Sequence, residues 1–261
     1  MFQHHKIAIE TITNKLKTKQ EILGIIVGGS VAHGFAKGDS DIDLMLVVSD
    51  DDYKLALESG NIEYHETDST PYKGGYVDGK YTSISYIKKV IESGSEPARY
   101  AYKDAFITYS EIPELDTLIH EAAKYPIHKQ EENMVKFYAQ LEAWRWWFHE
   151  GLKREDKYVM DYAAANFVLF AGRLLLAYNK ALYPYHKWFT KVLDGVENKP
   201  ENTIALINDV LNDKTADSIE NLYTTVINFY DWPQSDKGWH TRFMLDNELN
   251  WLSGHVPVMD L

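Results

Sequence analysis

Residues 28–44 of the chain read Gly28-Gly29-Ser30-Val31-Ala32-His33-Gly34-Phe35-Ala36-Lys37-Gly38-Asp39-Ser40-Asp41-Ile42-Asp43-Leu44. Apolar runs at residues 23–27 and 42–48 flank this segment, and each has the length of a buried strand. The Gly28-Gly29 pair marks a tight turn, and glycine lets a backbone approach a ligand closely. A short helix is predicted behind the turn, and N–H groups at a helix start bind phosphate oxygens. The segment therefore predicts a strand, a phosphate-binding turn and a second strand.

Two acidic residues open the second of these strands. Asp41 and Asp43 are two residues apart, so both carboxylates point to the same face, while Ile42 and Leu44 face the core. Carboxylate oxygens gathered at one point favour a hard cation, Mg²⁺ before any softer metal. A phosphate-binding turn beside Mg²⁺ ligands is the equipment of phosphoryl or nucleotidyl transfer.

These residues resemble a known family. Gly-Ser, a loop of ten residues and then Asp-x-Asp at the start of an apolar strand is similar to the signature of the polymerase-beta-like nucleotidyltransferase superfamily. The layout of the chain resembles that of the kanamycin and lincosamide nucleotidyltransferases, in which a catalytic domain precedes a helical domain. The resemblance implies that Asp41 and Asp43 are catalytic and hold Mg²⁺. It also implies that the nucleotide is bound by Gly28, Gly29, Ser30 and Ser40.

The two halves of the sequence differ in pattern. Before about residue 110, β-rich runs alternate with helical ones; Asp78-Gly79 lies between two such runs and predicts a hairpin, with strands expected at residues 81–87 and 105–109. Beyond residue 112, apolar residues recur almost only at helical spacing. We therefore expect an α+β protein, with a mixed sheet and flanking helices in a catalytic domain at residues 1–115. An all-α helical bundle that binds the acceptor is expected at residues 116–261.

The third carboxylate of the superfamily has no obvious counterpart. Many members carry it on a later strand beside the first two, but the predicted strand at residues 81–87 offers only Ser83 and Ser85. Serine is a poor Mg²⁺ ligand and no general base at neutral pH. Substitutes are available at Glu63, Glu66, Asp78 and Glu142. The kanamycin enzyme is similar to the last arrangement, so Glu142 is our candidate for the general base.

Two cations are further candidates for binding the nucleotide. Arg99 follows a turn and would hold a triphosphate, with a surface cation or an interdomain ion pair as the alternative. Lys187 lies near a predicted helix start, and related helical domains carry a lysine that approaches the nucleotide phosphates. Aromatic residues around Arg145 indicate helical core, or the seam of a homodimer.

Composition excludes several classes of protein. The 261 residues contain no Cys and carry a formal charge of −12, which excludes disulfide scaffolds and thiol catalysis and removes the basic footprint of a nucleic-acid-binding protein. No leader is recognised at the start and no run is apolar enough to span a membrane, so a cytoplasmic protein is expected. An acidic surface would attract a cationic acceptor.

Together, these features predict a Mg²⁺-dependent enzyme that moves a nucleoside monophosphate to a hydroxyl group, with AMP from ATP as the first candidate. The acceptor would be a small molecule similar to an aminoglycoside or a lincosamide. The alternative is a nucleotide-binding sensor or antitoxin-like module with weakened catalysis, which the missing third acid would favour.

Overall fold

A five-stranded mixed sheet forms the centre of the first half of the chain. The computed structural model describes residues 1–254, and it divides into one unit from Met1 to Tyr125 and a second from Pro126 onward. The elements of the first unit are α1 (Gln3–Leu16), β1 (Gly24–Val27), α2 (Gly29–Ala32), β2 (Ile42–Val48), α3 (Asp50–Ser59), β3 (Glu63–Glu66), β4 (Val77–Ser83), α4 (Ile84–Ser93), α5 (Glu96–Tyr100), β5 (Phe106–Ser110) and α6 (Leu115–Ala122). The expected α+β class is confirmed.

The strand order is β3-β4-β2-β1-β5. β2 runs parallel to β4 and antiparallel to β1, while β3 and β5 pair antiparallel with β4 and β1 and form the two edges. This order places β2 near the middle of the sheet, where six of its seven residues are buried and only Asp43 is half-exposed. The strand that carries the acidic pair is thus fixed on both sides by its neighbours.

Alternating side chains of β2 belong to two different cores. Ile42, Leu44 and Leu46 pack with the apolar side of α1, whereas Met45 and Val47 pack with α4 and α6 on the opposite face. Each fully buried aliphatic side chain contributes about 1.5–3 kcal/mol relative to an exposed one. The cores hold β2 in register, and Asp43, on the face of Met45, lies at the end where this second core stops.

The second unit is helical throughout the part that the structure describes. Its helices are α7 (Gln130–Arg154), α8 (Lys157–Tyr178), α9 (Phe189–Gly195), α10 (Thr203–Asp213), α11 (Ala216–Ile227) and α12 (Gly238–Asp246). α7 and α8 are joined at Glu155, which has a positive φ of 54°, and Asp156 caps α8 with its side chain. α8 is long and apolar enough to cross a membrane by length and composition alone, but ten of its residues, among them Phe167 and Leu174, are buried within the helical unit.

Local strand and helix signals in the first unit had mixed outcomes. β1, β2, β5 and the start of α3 are confirmed at the expected places. The hairpin at Asp78-Gly79 is wrong, because both residues lie inside β4, where a Cβ on Gly79 would lie 3.2 Å from the Leu44 carbonyl oxygen of β2. The strand at residues 81–87 is wrong beyond Ser83, whose side chain caps α4 by accepting from the Tyr86 N–H.

The two units divide between Tyr125 and Pro126. α6 lies in the first unit, since Leu115, Ile119 and Ala122 pack in the core beneath the sheet. The separate roles expected for residues 1–115 and 116–261, catalysis and acceptor binding, stay predictions.

Candidate active site

The turn between β1 and α2 has a shape that glycine alone fits. Gly29 has a positive φ of 59°, and a Cβ on this residue would lie 1.7 Å from Oδ2 of Asp43. The Gly28 N–H donates to the Asp43 carbonyl over 3.0 Å. The turn and the start of β2 are therefore fixed to each other, with the Asp43 carboxylate directly against the Gly29 backbone.

Ser30 contributes a buried hydroxyl to this turn. The residue is 5% exposed, and its Oγ has no hydrogen-bond partner within residues 1–254. A buried hydroxyl without a partner is costly, and a ligand oxygen would satisfy it. This is the behaviour expected of a phosphate-binding turn.

The turn is closed on its other side by His33. Its Nδ1 lies 3.2 Å from Oδ2 of Asp104, a residue with a positive φ of 59°, and its ring lies 4.6 Å from that of Tyr100. Burial lowers the pKa of His33. The imidazole thus joins the end of α2 to the segment that follows α5.

Asp43 is the second residue of β2 and Asp41 directly precedes this strand, and Tyr76, which precedes β4, lies beside Asp41. A shared face for the two carboxylates stays a prediction. The Tyr76 phenol is hydrogen-bonded to Asp41, which raises its pKa, and the charges of Asp41, Asp78 and Asp43 raise it further. The charges of all three aspartates therefore act on one phenol near the start of β2 and β4.

Asp78 fits the position of the third carboxylate, for which the sequence offered several substitutes. In the parallel pair of β2 and β4, Asp43 is in register with Asp78, just as Ile42 is with Val77. Paired residues on neighbouring strands point to the same face, so Asp78 joins the acidic pair. Asp78 was one of four substitutes predicted for this acid but was assigned to a hairpin turn, although the recurrence of the apolar-acidic pair Ile42-Asp43 as Val77-Asp78 was a usable signal for a strand.

Ser40 shapes the turn that precedes Asp41. Its Oγ accepts a hydrogen bond from the Lys37 N–H over 2.9 Å, and its carbonyl accepts one from the Tyr72 hydroxyl over 2.8 Å. The contacts fix the backbone next to Asp41; a direct role for Ser40 in binding nucleotide stays a prediction.

Arg99 is placed in the interior of the first unit. It is 3% exposed, and its guanidinium donates to the carbonyls of Gly94, Lys124 and Ile91. These bonds use the guanidinium to join three segments of backbone. They favour a structural role for Arg99 over the expected contact with a triphosphate.

The two remaining candidates lie in the second unit. Glu142 on α7 is 9% exposed; the Tyr223 hydroxyl donates to its Oε1, and Arg145 lies 3.8 Å from its Oε2. Both carboxylate oxygens are thus engaged between α7 and α11. Lys187 is exposed in a short 3-10 turn, His186–Trp188, with its ammonium 5.3 Å from the Trp188 ring centre. Their expected roles stay predictions.

Asp43 and Asp78, with Asp41 just before β2, form an acidic face of the sheet. This acidic face fits the way proteins bind Mg²⁺ together with a nucleotide. Among the described residues, no three His, Asp or Glu side chains are grouped closely enough to hold a metal ion alone. Mg²⁺ typically keeps several waters and takes one or two carboxylates plus substrate phosphates. Asp41 and Asp43 would supply the carboxylates, and the Gly29 turn beside Asp43 would supply the place for the phosphates.

Comparison with known proteins agrees with this site. Residues 9–128 match the nucleotidyltransferase domain family, which covers the sheet, the glycine turn and all three aspartates. Residues 9–128 therefore form a nucleotidyltransferase domain of the polymerase-beta-like superfamily, and this domain supports the expected nucleotidyltransferase enzyme.

Other comparisons add little. No curated protein matches the chain. Among solved structures, a nucleotidyltransferase-like protein from Exiguobacterium sibiricum 255-15 is similar, with 12% sequence identity over 94% of this chain and 78% of that one, and a TM-score of 0.42. A similarity of this size carries no argument about substrate.

Proposed function

We propose that the protein transfers a nucleoside monophosphate to a hydroxyl group of a small-molecule acceptor, with AMP from ATP as the first candidate. The observation that carries the proposal is the register of Asp43 with Asp78 on neighbouring strands, with the Asp43 carboxylate against the Gly29 turn. Phosphoryl transfer depends mainly on positioning and on neutralising charge, and these residues provide for both.

Each part of the site has a role in this reaction. Gly29 and Ser30 would hold the β- and γ-phosphates, and Asp41 and Asp43 would hold Mg²⁺, which when bound neutralises the charge that develops on the leaving pyrophosphate. The acceptor oxygen attacks the α-phosphorus, the bond from that phosphorus to the bridging oxygen breaks, and the hydroxyl proton passes to a base on the protein.

The proposed acceptor is cationic, such as an aminoglycoside, or lincosamide-like. The chain carries a formal charge of −12, and a negative surface raises the local concentration of a positively charged acceptor. The ground for the alternative, a nucleotide-binding sensor with decayed catalysis, was the lack of a third acid. Asp78 supplies a candidate for that acid, so we favour the active enzyme.

Pyrophosphate release tests the proposal. The purified chain would be assayed with Mg²⁺, each of the four NTPs and a panel of aminoglycosides and lincosamides. We expect release that needs Mg²⁺ and one acceptor. Asp41→Asn and Asp43→Asn should each reduce the rate ~10²–10⁴-fold, in the range found when transition-state contacts are removed.

Two further variants make this test specific. Asp116→Asn changes an exposed aspartate on α6 and should leave the rate unchanged. Glu142→Gln tests whether Glu142 is the general base, as the sequence predicts. Unaltered turnover in both Asp41→Asn and Asp43→Asn would overturn the assignment, and nucleotide binding by calorimetry without any release would indicate the sensor instead.

A further inference from the structure

The edge strand β3 places a histidine against the acidic face. His65 is in register with Asp78 in the antiparallel pair of β3 and β4, so the two side chains point to the same side of the sheet. Nδ1 of His65 lies 2.5 Å from Oδ1 of Asp78. A neutral imidazole meets a carboxylate in this way with Nδ1–H donating, which leaves Nε2 as an acceptor.

The imidazole lies beside Tyr76, the residue whose phenol contacts Asp41. Its ring centre is 5.5 Å from that of Tyr76, and the Tyr76 phenol is hydrogen-bonded to Asp41. Across the sheet, the order β2, β4, β3 puts Asp43, Asp78 and His65 on three consecutive strands, about 4.8 Å apart per strand. The histidine is therefore next to the site, with one strand between it and β2.

The pair is open to an incoming molecule. The side chain of His65 is 61% exposed and that of Asp78 is 49% exposed, whereas the Glu142 carboxylate is engaged by Tyr223 and Arg145. Exposed ion pairs contribute about 0–1 kcal/mol to stability. A contribution to stability therefore does not explain why His65 and Asp78 lie so close together.

We propose that His65 is the general base of the reaction and that Asp78 positions it. Nε2 of His65 removes the proton from the acceptor hydroxyl as the oxygen attacks the α-phosphorus. The resulting imidazolium is stabilised by the Asp78 carboxylate and returns its proton to solvent after pyrophosphate has left. An aspartate that holds an imidazole in one tautomer while the other nitrogen accepts a proton is an established arrangement for such chemistry. The proposal rests on the proposed function and assigns its missing base.

Two substitutions at one position separate a base from a positioning group. His65→Asn keeps an N–H near the place of Nδ1 and can still donate to Asp78, but it cannot take a proton; His65→Ala removes both properties. We expect both variants to lose kcat ~10²–10⁴-fold, the usual contribution of general-base catalysis. The KM for the NTP should stay within about twofold, because the phosphate-binding turn is untouched.

Rescue provides a readout that a structural role would not give. Added imidazole should restore part of the rate of His65→Ala and leave that of the wild type unchanged. The matched control is His120→Ala, since His120 is also exposed and its Nδ1 lies 3.5 Å from Oδ2 of Asp116 on the same helix, α6. This variant should keep the wild-type rate and show no response to imidazole.

Each outcome has one meaning. Wild-type kcat in His65→Asn would overturn the role of base, and wild-type kcat in His65→Ala would overturn any role in the reaction. Absence of pyrophosphate release from the wild-type protein would instead contradict the proposed function itself. Independently of activity, the ¹⁵N NMR signals of the ring, recorded at a pH where the imidazole carries one proton, should show that proton on Nδ1 and a change in Asp78→Asn. A proton on Nε2 would overturn the proposal.

Discussion

Gly29 tests the active site at the level of a single residue. Gly29→Ala should lower the rate of pyrophosphate release at least ~10²-fold, because its Cβ would occupy the place of the Asp43 carboxylate and displacements of about 1 Å have such effects. Gly34→Ala is a matched control: Gly34 also has a positive φ, 71°, but no atom lies within 4 Å of its Cβ position.

Both alanine variants carry the same kind of backbone strain, about 1–2 kcal/mol. Gly29→Ala also overlaps the Asp43 carboxylate, so its loss of stability in urea unfolding should be at least as large as that of Gly34→Ala. Under conditions where both proteins are folded, only Gly29→Ala should lose activity. Equal activity in the two variants would show that the position of the Asp43 carboxylate does not matter for the reaction.

The residues of the site differ in how visible they are in the sequence. Asp41, Asp43 and Gly29 occur within one short segment, where spacing alone predicts a shared location. Asp78 and His65 reach the site only through the register of β4 with β2 and β3. That register depends on contacts between distant segments. The recurrence of Ile42-Asp43 as Val77-Asp78 indicates a second acidic strand, but no local pattern gives its pairing with β2 or brings His65 to it.

At the level of elements, Arg99 joins three segments of the first unit. Its guanidinium donates to the carbonyls of Ile91 in α4, Gly94 after it, and Lys124 beyond α6. Arg99→Ala would leave buried carbonyls without donors and should lower the free energy of unfolding by about 3 kcal/mol. Urea unfolding measures this loss.

Calorimetry with an NTP and Mg²⁺ then separates the two roles considered for Arg99. Under conditions where Arg99→Ala is folded, its Kd for the nucleotide should stay within about twofold of the wild-type value, since the guanidinium is turned toward backbone. A tenfold weaker Kd with unchanged stability would restore the expected contact with the triphosphate. Arg154→Ala, which removes an exposed arginine paired with Glu150, serves as the control for both measurements.

Elements with a strong local period were predictable, and those fixed by distant pairing were not. The apolar spacing of Phe137, Leu141 and Phe148 predicted α7, and that of Phe167 and Leu174 predicted α8. For β4, the local Asp78-Gly79 signal favoured a turn, but pairing with β2 on one side and β3 on the other overrides it. Parallel pairs need long connections, so their partners are not visible in a short window.

At the level of the whole molecule, the two units should respond differently to pH. His5 and His33 both lie in the first unit, and burial lowers the pKa of each below its ordinary value. The unfolded chain therefore binds more protons as the pH falls through about 6.5, and the stability of the first unit falls with it. In the second unit, the hydrogen bond from Arg145 lowers the pKa of Glu220, so its contribution is lost only below a pH of about 4.3.

Tryptophan fluorescence distinguishes the units, because all seven Trp residues lie at or beyond Trp144. Between pH 7.5 and 5.5, urea unfolding followed by far-UV circular dichroism should gain an earlier component, while the Trp transition stays in place. His5→Phe keeps an aromatic ring beside Tyr72 but cannot bind a proton, so it should reduce this pH dependence. If both signals instead shift together with pH, the two cores unfold as one, and the histidines of the first unit set the stability of the entire chain.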